Sequence, residues 1–145
     1  MPELVLSIDI PAPQQRVWDA VVDWPTQREW MLLTDVRATA DDGVGLGAQL
    51  AAFTGIGPVG FLDTMTITAW EPPHRCRVVH TGKVVRGTAA FEVQRLTDGR
   101  SRFVWSEWVV LPFGIFGRVG WLFVKPLVAL GVRYSLRRLA ARLAS

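Results

Sequence analysis

The chain has 145 residues, a net charge of +3, seven tryptophans and a single cysteine. Half of the residues are hydrophobic and a fifth are charged, which excludes a disordered chain and suits one domain over residues 1–145 with a sizeable core. Cys76 stands alone, so no disulfide can form within the chain, and a reducing cytoplasm is the expected compartment.

The opening Met1-Pro2-Glu3 carries an acid where a signal peptide would carry basic residues. Residues 3–10 then alternate, with Leu4, Leu6, Ile8 and Ile10 on one side, as in a half-buried strand. Pro11-Ala12-Pro13 ends it, and Pro13 suits the first turn of a helix. Val17, Trp18, Val21 and Trp24 follow at helical spacing, and Asp23 is placed to cap a second short helix reaching Trp30. Strand signals run from Leu33 to the glycine-rich Gly43-Val44-Gly45-Leu46-Gly47, and again over 48–54. Further strands are predicted at 61–70, 75–81, 84–96 and 102–111. Gly55 to Pro58, Glu71-Pro72-Pro73, Gly82-Lys83 and Thr97 to Arg100 are the breaks between them. Consecutive hairpins imply an antiparallel sheet.

Residues 111–145 read as one long apolar helix with a kink at Pro126. About 25 helical residues at 1.5 Å each reach roughly 37 Å, enough to fill the concave face of a curved sheet. Two apolar stripes are present. Trp121, Val124, Val128, Val132, Leu136, Leu139 and Leu143 form one, expected to pack permanently on the sheet. Phe116, Val119, Phe123, Leu127 and Leu130 form the other, expected to serve the cavity mouth as a lid or as a docking surface for a membrane or a second subunit. Pro112, Arg118, Lys125, Pro126 and four glycines interrupt the most apolar stretch, 108–132, so it reads as soluble and not as a span.

This order of elements, opened by Pro13-Gln14-Gln15-Arg16-Val17-Trp18-Asp19-Ala20-Val21, resembles the START-like (SRPBCC) helix-grip superfamily. It is most similar to the bacterial polyketide cyclase/dehydrase-type branch. Matching pieces are Gly45-Leu46-Gly47-Ala48, Thr68 to Pro73, Gly87 to Val93, Trp105-Ser106-Glu107 and Leu111-Pro112-Phe113-Gly114. The resemblance implies an α+β fold. A curved antiparallel sheet of about seven strands would wrap around the C-terminal helix, with two short helices after the first strand. It also implies a deep apolar cavity between sheet and helix.

Strand alternation then selects inward residues. The candidate ligand-contacting set is Trp30, Leu50, Met65, Ile67, Val78, His80, Phe91, Trp105, Glu107, Phe123, Leu127 and Tyr134. It is apolar with a few polar points, as in a small-molecule pocket. A carboxylate at Glu107 would be costly to bury unless paired, and Arg86, Arg118 and Lys125 are potential partners. Asp63 is a further inward acid, near a strand start where water could solvate it. His74, His80 and Cys76 fall short of the clustered ligands zinc needs, so no metal is expected, nor any cofactor. The glycine run precedes a strand and lacks Gly-Lys-Ser/Thr, so it is a hairpin loop and not a phosphate cradle. No Gly-x-Ser-x-Gly elbow is present.

Three functions compete. The first is binding or transport of a hydrophobic small molecule, a lipid or polyketide-like aromatic, oriented by Glu107, His80 and Tyr134. The second is a polyketide cyclase or dehydratase with Glu107 or His80 as acid/base. The third is a ribosome- or membrane-associated module using Phe116, Val119, Phe123, Leu127 and Leu130 with the C-terminal arginines, by peripheral membrane contact or as a homodimer. Nucleic acid is disfavoured, because Arg133, Arg137, Arg138 and Arg142 suit a solvated helix C-terminus.

Overall fold

Alternation in the first segment becomes β1 (Glu3–Ile10), whose Leu4, Leu6 and Ile10 are buried. The computed structural model describes residues 3–83, 85–110 and 114–144. Six further strands follow: β2 (Thr34–Ala40), β3 (Gln49–Ile56), β4 (Val59–Glu71), β5 (Arg75–His80), β6 (Gly87–Thr97) and β7 (Arg100–Val109). They make one antiparallel sheet in the order β1-β7-β6-β5-β4-β3-β2. From β2 to β7 each strand pairs with the next. The β1 to β2 connection instead crosses from one sheet edge to the other.

That crossing carries the two short helices. Ala12 turns the chain, its N–H donating to the Ile10 carbonyl at 2.8 Å and its carbonyl accepting from Ser101 Oγ at 2.8 Å. Helix α1 (Gln14–Val21) then buries Val17, Trp18 and Val21, and Trp18 meets Trp70 edge-on at 5.2 Å. The second short helix is a 3-10 helix, Trp24–Glu29, with Pro25 in its first turn. Asp23 precedes it but makes no side-chain cap bond, contrary to expectation. Trp24 is held instead by its indole N–H, which donates to the Gly43 carbonyl at 2.9 Å. Gly43 sits at φ +68°, and a Cβ there would stand 2.5 Å from Trp24 Nε1, so glycine is required.

Helix α2 (Ile115–Ala144) spans 30 residues and continues as helix on both sides of Pro126. At 1.5 Å per residue it is about 45 Å long. Its predicted start at Leu111 lies outside the described residues, as do Pro112 and Phe113. Val132, Ser135, Leu136, Leu139 and Leu143 are buried against the sheet and β1, so only the C-terminal half packs as the first stripe predicts. The expectation fails for Trp121, Val124 and Val128, which face a cavity, with Val124 48% exposed. The second stripe is exposed along its whole length. By length and composition α2 could cross a membrane, but Leu136, Leu139 and Leu143 are committed to the core.

Candidate functional site

The sheet and the first half of α2 enclose a cavity of about 620 Å³. That volume lies within the roughly 300–1,000 Å³ of small-molecule sites. Its walls are overwhelmingly apolar. Strand alternation brings Leu50 and Ala52 from β3, Met65 from β4, Cys76 and Val78 from β5, Ala89 and Phe91 from β6, and Trp105 from β7 to one surface. Phe91 anchors the aromatic wall, 4.8 Å from Trp105 and 5.6 Å from Phe103. The indole N–H of Trp105 has no acceptor among the described residues.

Three titratable side chains interrupt this surface, and they touch one another. His80 Nδ1 lies 2.9 Å from Asp63 Oδ1, and His80 Nε2 lies 3.2 Å from Glu107 Oε2. The register explains the convergence. His80 pairs with Met65 on β4, so Asp63, two residues along, shares its face. Towards β7, His80 pairs with Gly87 and Glu107 pairs with Ala89, so only a hydrogen and a methyl stand between them on β6. The imidazole can therefore reach across a whole strand to Glu107.

The His80 side chain is 3% exposed, those of Asp63 and Glu107 14% and 19%. Burial pushes the imidazole pKa down. Hydrogen bonds to Asp63 and Glu107, with their charges, outweigh that and carry it up to about 9. A doubly protonated ring satisfies both contacts, because both ring N–H groups then donate. Burial also pushes the Cys76 thiol up to about 12, leaving it an inert wall atom.

The remaining sequence candidates fall in three places. Leu50, Met65, Val78, His80, Phe91, Trp105 and Glu107 line the cavity. Trp30 and Ile67 are fully buried behind the wall, Trp30 packing edge-on to Phe103 at 6.4 Å. Phe123, Leu127 and Tyr134 lie on the outer side of α2, exposed, with the Arg138 guanidinium 5.7 Å over the Tyr134 ring. The partner of Glu107 is His80, not a cation of α2. Sequence reasoning did not pair Asp63 with His80, and it missed Leu32, Leu33 and Phe61 at the mouth. The Met65 to His80 register was the signal for the first. The others are exposed apolar residues at strand ends, which alternation does not flag.

The α2 wall is tied by Ser135. Its Oγ accepts from Leu32 N–H at 2.8 Å and donates to the Gly131 carbonyl at 2.8 Å. Among the described residues no cluster of three or more potential ligands could hold a metal ion.

A sheet gripping a helix around an apolar cavity with one polar cluster is the helix-grip fold. The chain belongs to the polyketide cyclase/dehydrase and lipid transport family, whose model matches residues 1–144. Solved structures share the fold. The Zhui aromatase/cyclase of a Streptomyces species superposes with TM-score 0.79 at 13% identity, covering 98% of this chain and 93% of that one. TTHA0849 of Thermus thermophilus gives 0.77 at 19%, covering 98% and 97%. A START superfamily protein of Mycobacterium smegmatis gives 0.75 at 14%, covering 97% and 95%. In sequence, Rv1546 of Mycobacterium tuberculosis is 29% identical over 84 residues, 57% of this chain and 59% of that protein's length.

Proposed function

We propose that the chain binds and carries a hydrophobic small molecule, a lipid or a polyketide-like aromatic, in the cavity between sheet and α2. One observation carries this reading: an apolar cavity of about 620 Å³ whose charged groups form a single cluster. Apolar burial supplies affinity at about 25 cal/mol per Å², so roughly 200 Å² of buried ligand contributes about 5 kcal/mol. Asp63, His80 and Glu107 fix the ligand's polar end. A cytoplasmic setting fits this role.

The test is displacement of an environment-sensitive apolar dye, N-phenyl-1-naphthylamine, by long-chain fatty acids and fused-ring aromatics. Ala89→Trp, which fills the cavity, is expected to abolish dye uptake while the circular dichroism of the fold persists. Absence of uptake by the unaltered, folded chain would refute carriage.

A second reading draws on the carboxylate at each ring nitrogen of His80. That arrangement orients the imidazole and holds a proton on it near neutral pH, as a general acid in poly-ketone cyclisation or dehydration needs. It predicts that His80→Gln and Glu107→Gln each stop turnover of a poly-ketone thioester while dye binding survives. Turnover persisting in both variants rules it out.

A further inference from the structure

The β3–β4 tip, the end of β7 and the start of α2 all expose large apolar side chains. The register places the β3–β4 tip, the β5–β6 connection, the end of β7 and the start of α2 at one end of the sheet. At the β3–β4 tip, Ile56 and Val59 are 71% and 76% exposed. On α2, Phe116 and Phe123 are 81% and 75% exposed. Large apolar patches of this kind mark interaction surfaces.

Charge identifies the partner. Residues 55–62, 81–86 and 110–133 contain no Asp or Glu, yet carry Lys83, Arg86, Arg118, Lys125 and Arg133, all exposed. Glu3 and Asp35 lie at the same end but alternate with the buried Leu4 and Val36, so they belong to the outer sheet face. Asp63 and Glu107 are inside with His80. These segments thus combine exposed apolar side chains with cations and carry no acid of their own. Two copies meeting face to face would oppose like charges, which disfavours a symmetric dimer. An anionic bilayer matches both properties, taking apolar side chains below its headgroups and cations at them.

We propose that the cavity mouth and the first half of α2 form one surface that docks on an anionic lipid bilayer. The cavity then opens onto the membrane. Docking is peripheral, because the C-terminal half of α2 remains in the core.

Co-sedimentation of the full chain with vesicles tests this. Binding is expected to phosphatidylcholine vesicles containing phosphatidylglycerol and not to phosphatidylcholine alone. It should be lost in about 1 M salt, where screening reaches about 3 Å. Arg118→Glu with Lys125→Glu should weaken it by at least about 30-fold, since each surface cation contributes roughly fivefold. Phe123→Ser with Leu127→Ser should abolish it. Both double variants change exposed residues and should keep normal uptake of N-phenyl-1-naphthylamine, which separates docking from cavity binding. No vesicle binding, equal binding to neutral vesicles, or binding that resists alkaline carbonate as a spanning helix does would overturn the proposal. So would a stable dimer dissolved by the Phe123 and Leu127 substitutions.

Discussion

His80 has an acceptor on each ring nitrogen, and this sets a pH dependence. Its pKa of about 9 lies above the 6.5 of an unperturbed imidazole, so the folded chain holds the proton more tightly than the unfolded one. The resulting stabilisation is fully present below about pH 6.5 and is lost as pH rises through about 9. The cluster sits in a cavity with an open mouth, so screening discounts the full shift. A loss of about 1–2 kcal/mol between about pH 6 and 8.5 is expected from urea unfolding, with the slope flattened in His80→Asn. An unfolded thiol begins to ionise towards the top of that window, so Cys76 adds a small loss in the same direction, which the His80→Asn comparison separates because the variant retains Cys76. An unchanged slope in the variant would remove His80 as its source. Alternation alone placed His80 and Glu107 inward. Their mutual contact was not legible, because it depends on the small residues Gly87 and Ala89 lying between them in the register.

Helix α2 has two mechanically different halves. Leu139 is 1% exposed in the core, whereas Leu127 is 69% exposed on the outer face. Leu139→Ala should cost about 2–4 kcal/mol by denaturant unfolding and Leu127→Ala less than about 0.5. Amide exchange should likewise protect 132–143 far more than 116–128. Ser135 marks the border. Ser135→Ala leaves the Leu32 N–H without its acceptor and should cost about 1–3 kcal/mol, whereas a serine that merely faced solvent would cost nothing measurable. The two stripes were legible from spacing, and so was the burial of Leu136, Leu139 and Leu143. Where packing gives way to cavity was not, because a residue lining a hollow and one packed on a strand carry the same periodicity. The same limit hid the role of Arg138. It donates to the Glu29 carbonyl at 2.7 Å, pinning the 3-10 helix when it was expected to face solvent.

At the scale of the molecule, the order of strands and helices was readable because turn residues punctuate it and each segment's period is distinct. The edge-to-edge crossing after β1 was not, since pairing of β1 with β7 joins residues about a hundred positions apart. The hollow interior has a thermodynamic signature: a ligand at 100 times its dissociation constant should stabilise the fold by about 2.7 kcal/mol, readable as a raised melting temperature. Cys76 adds a kinetic one. It is 2% exposed on the cavity wall and is the chain's sole thiol. A reagent that modifies it must first enter the cavity, so the rate of thiol labelling is a clock for access to the interior. Cavity occupancy should slow that clock in proportion to ligand saturation, and the wall thereby carries its own single-site reporter, with no engineered label.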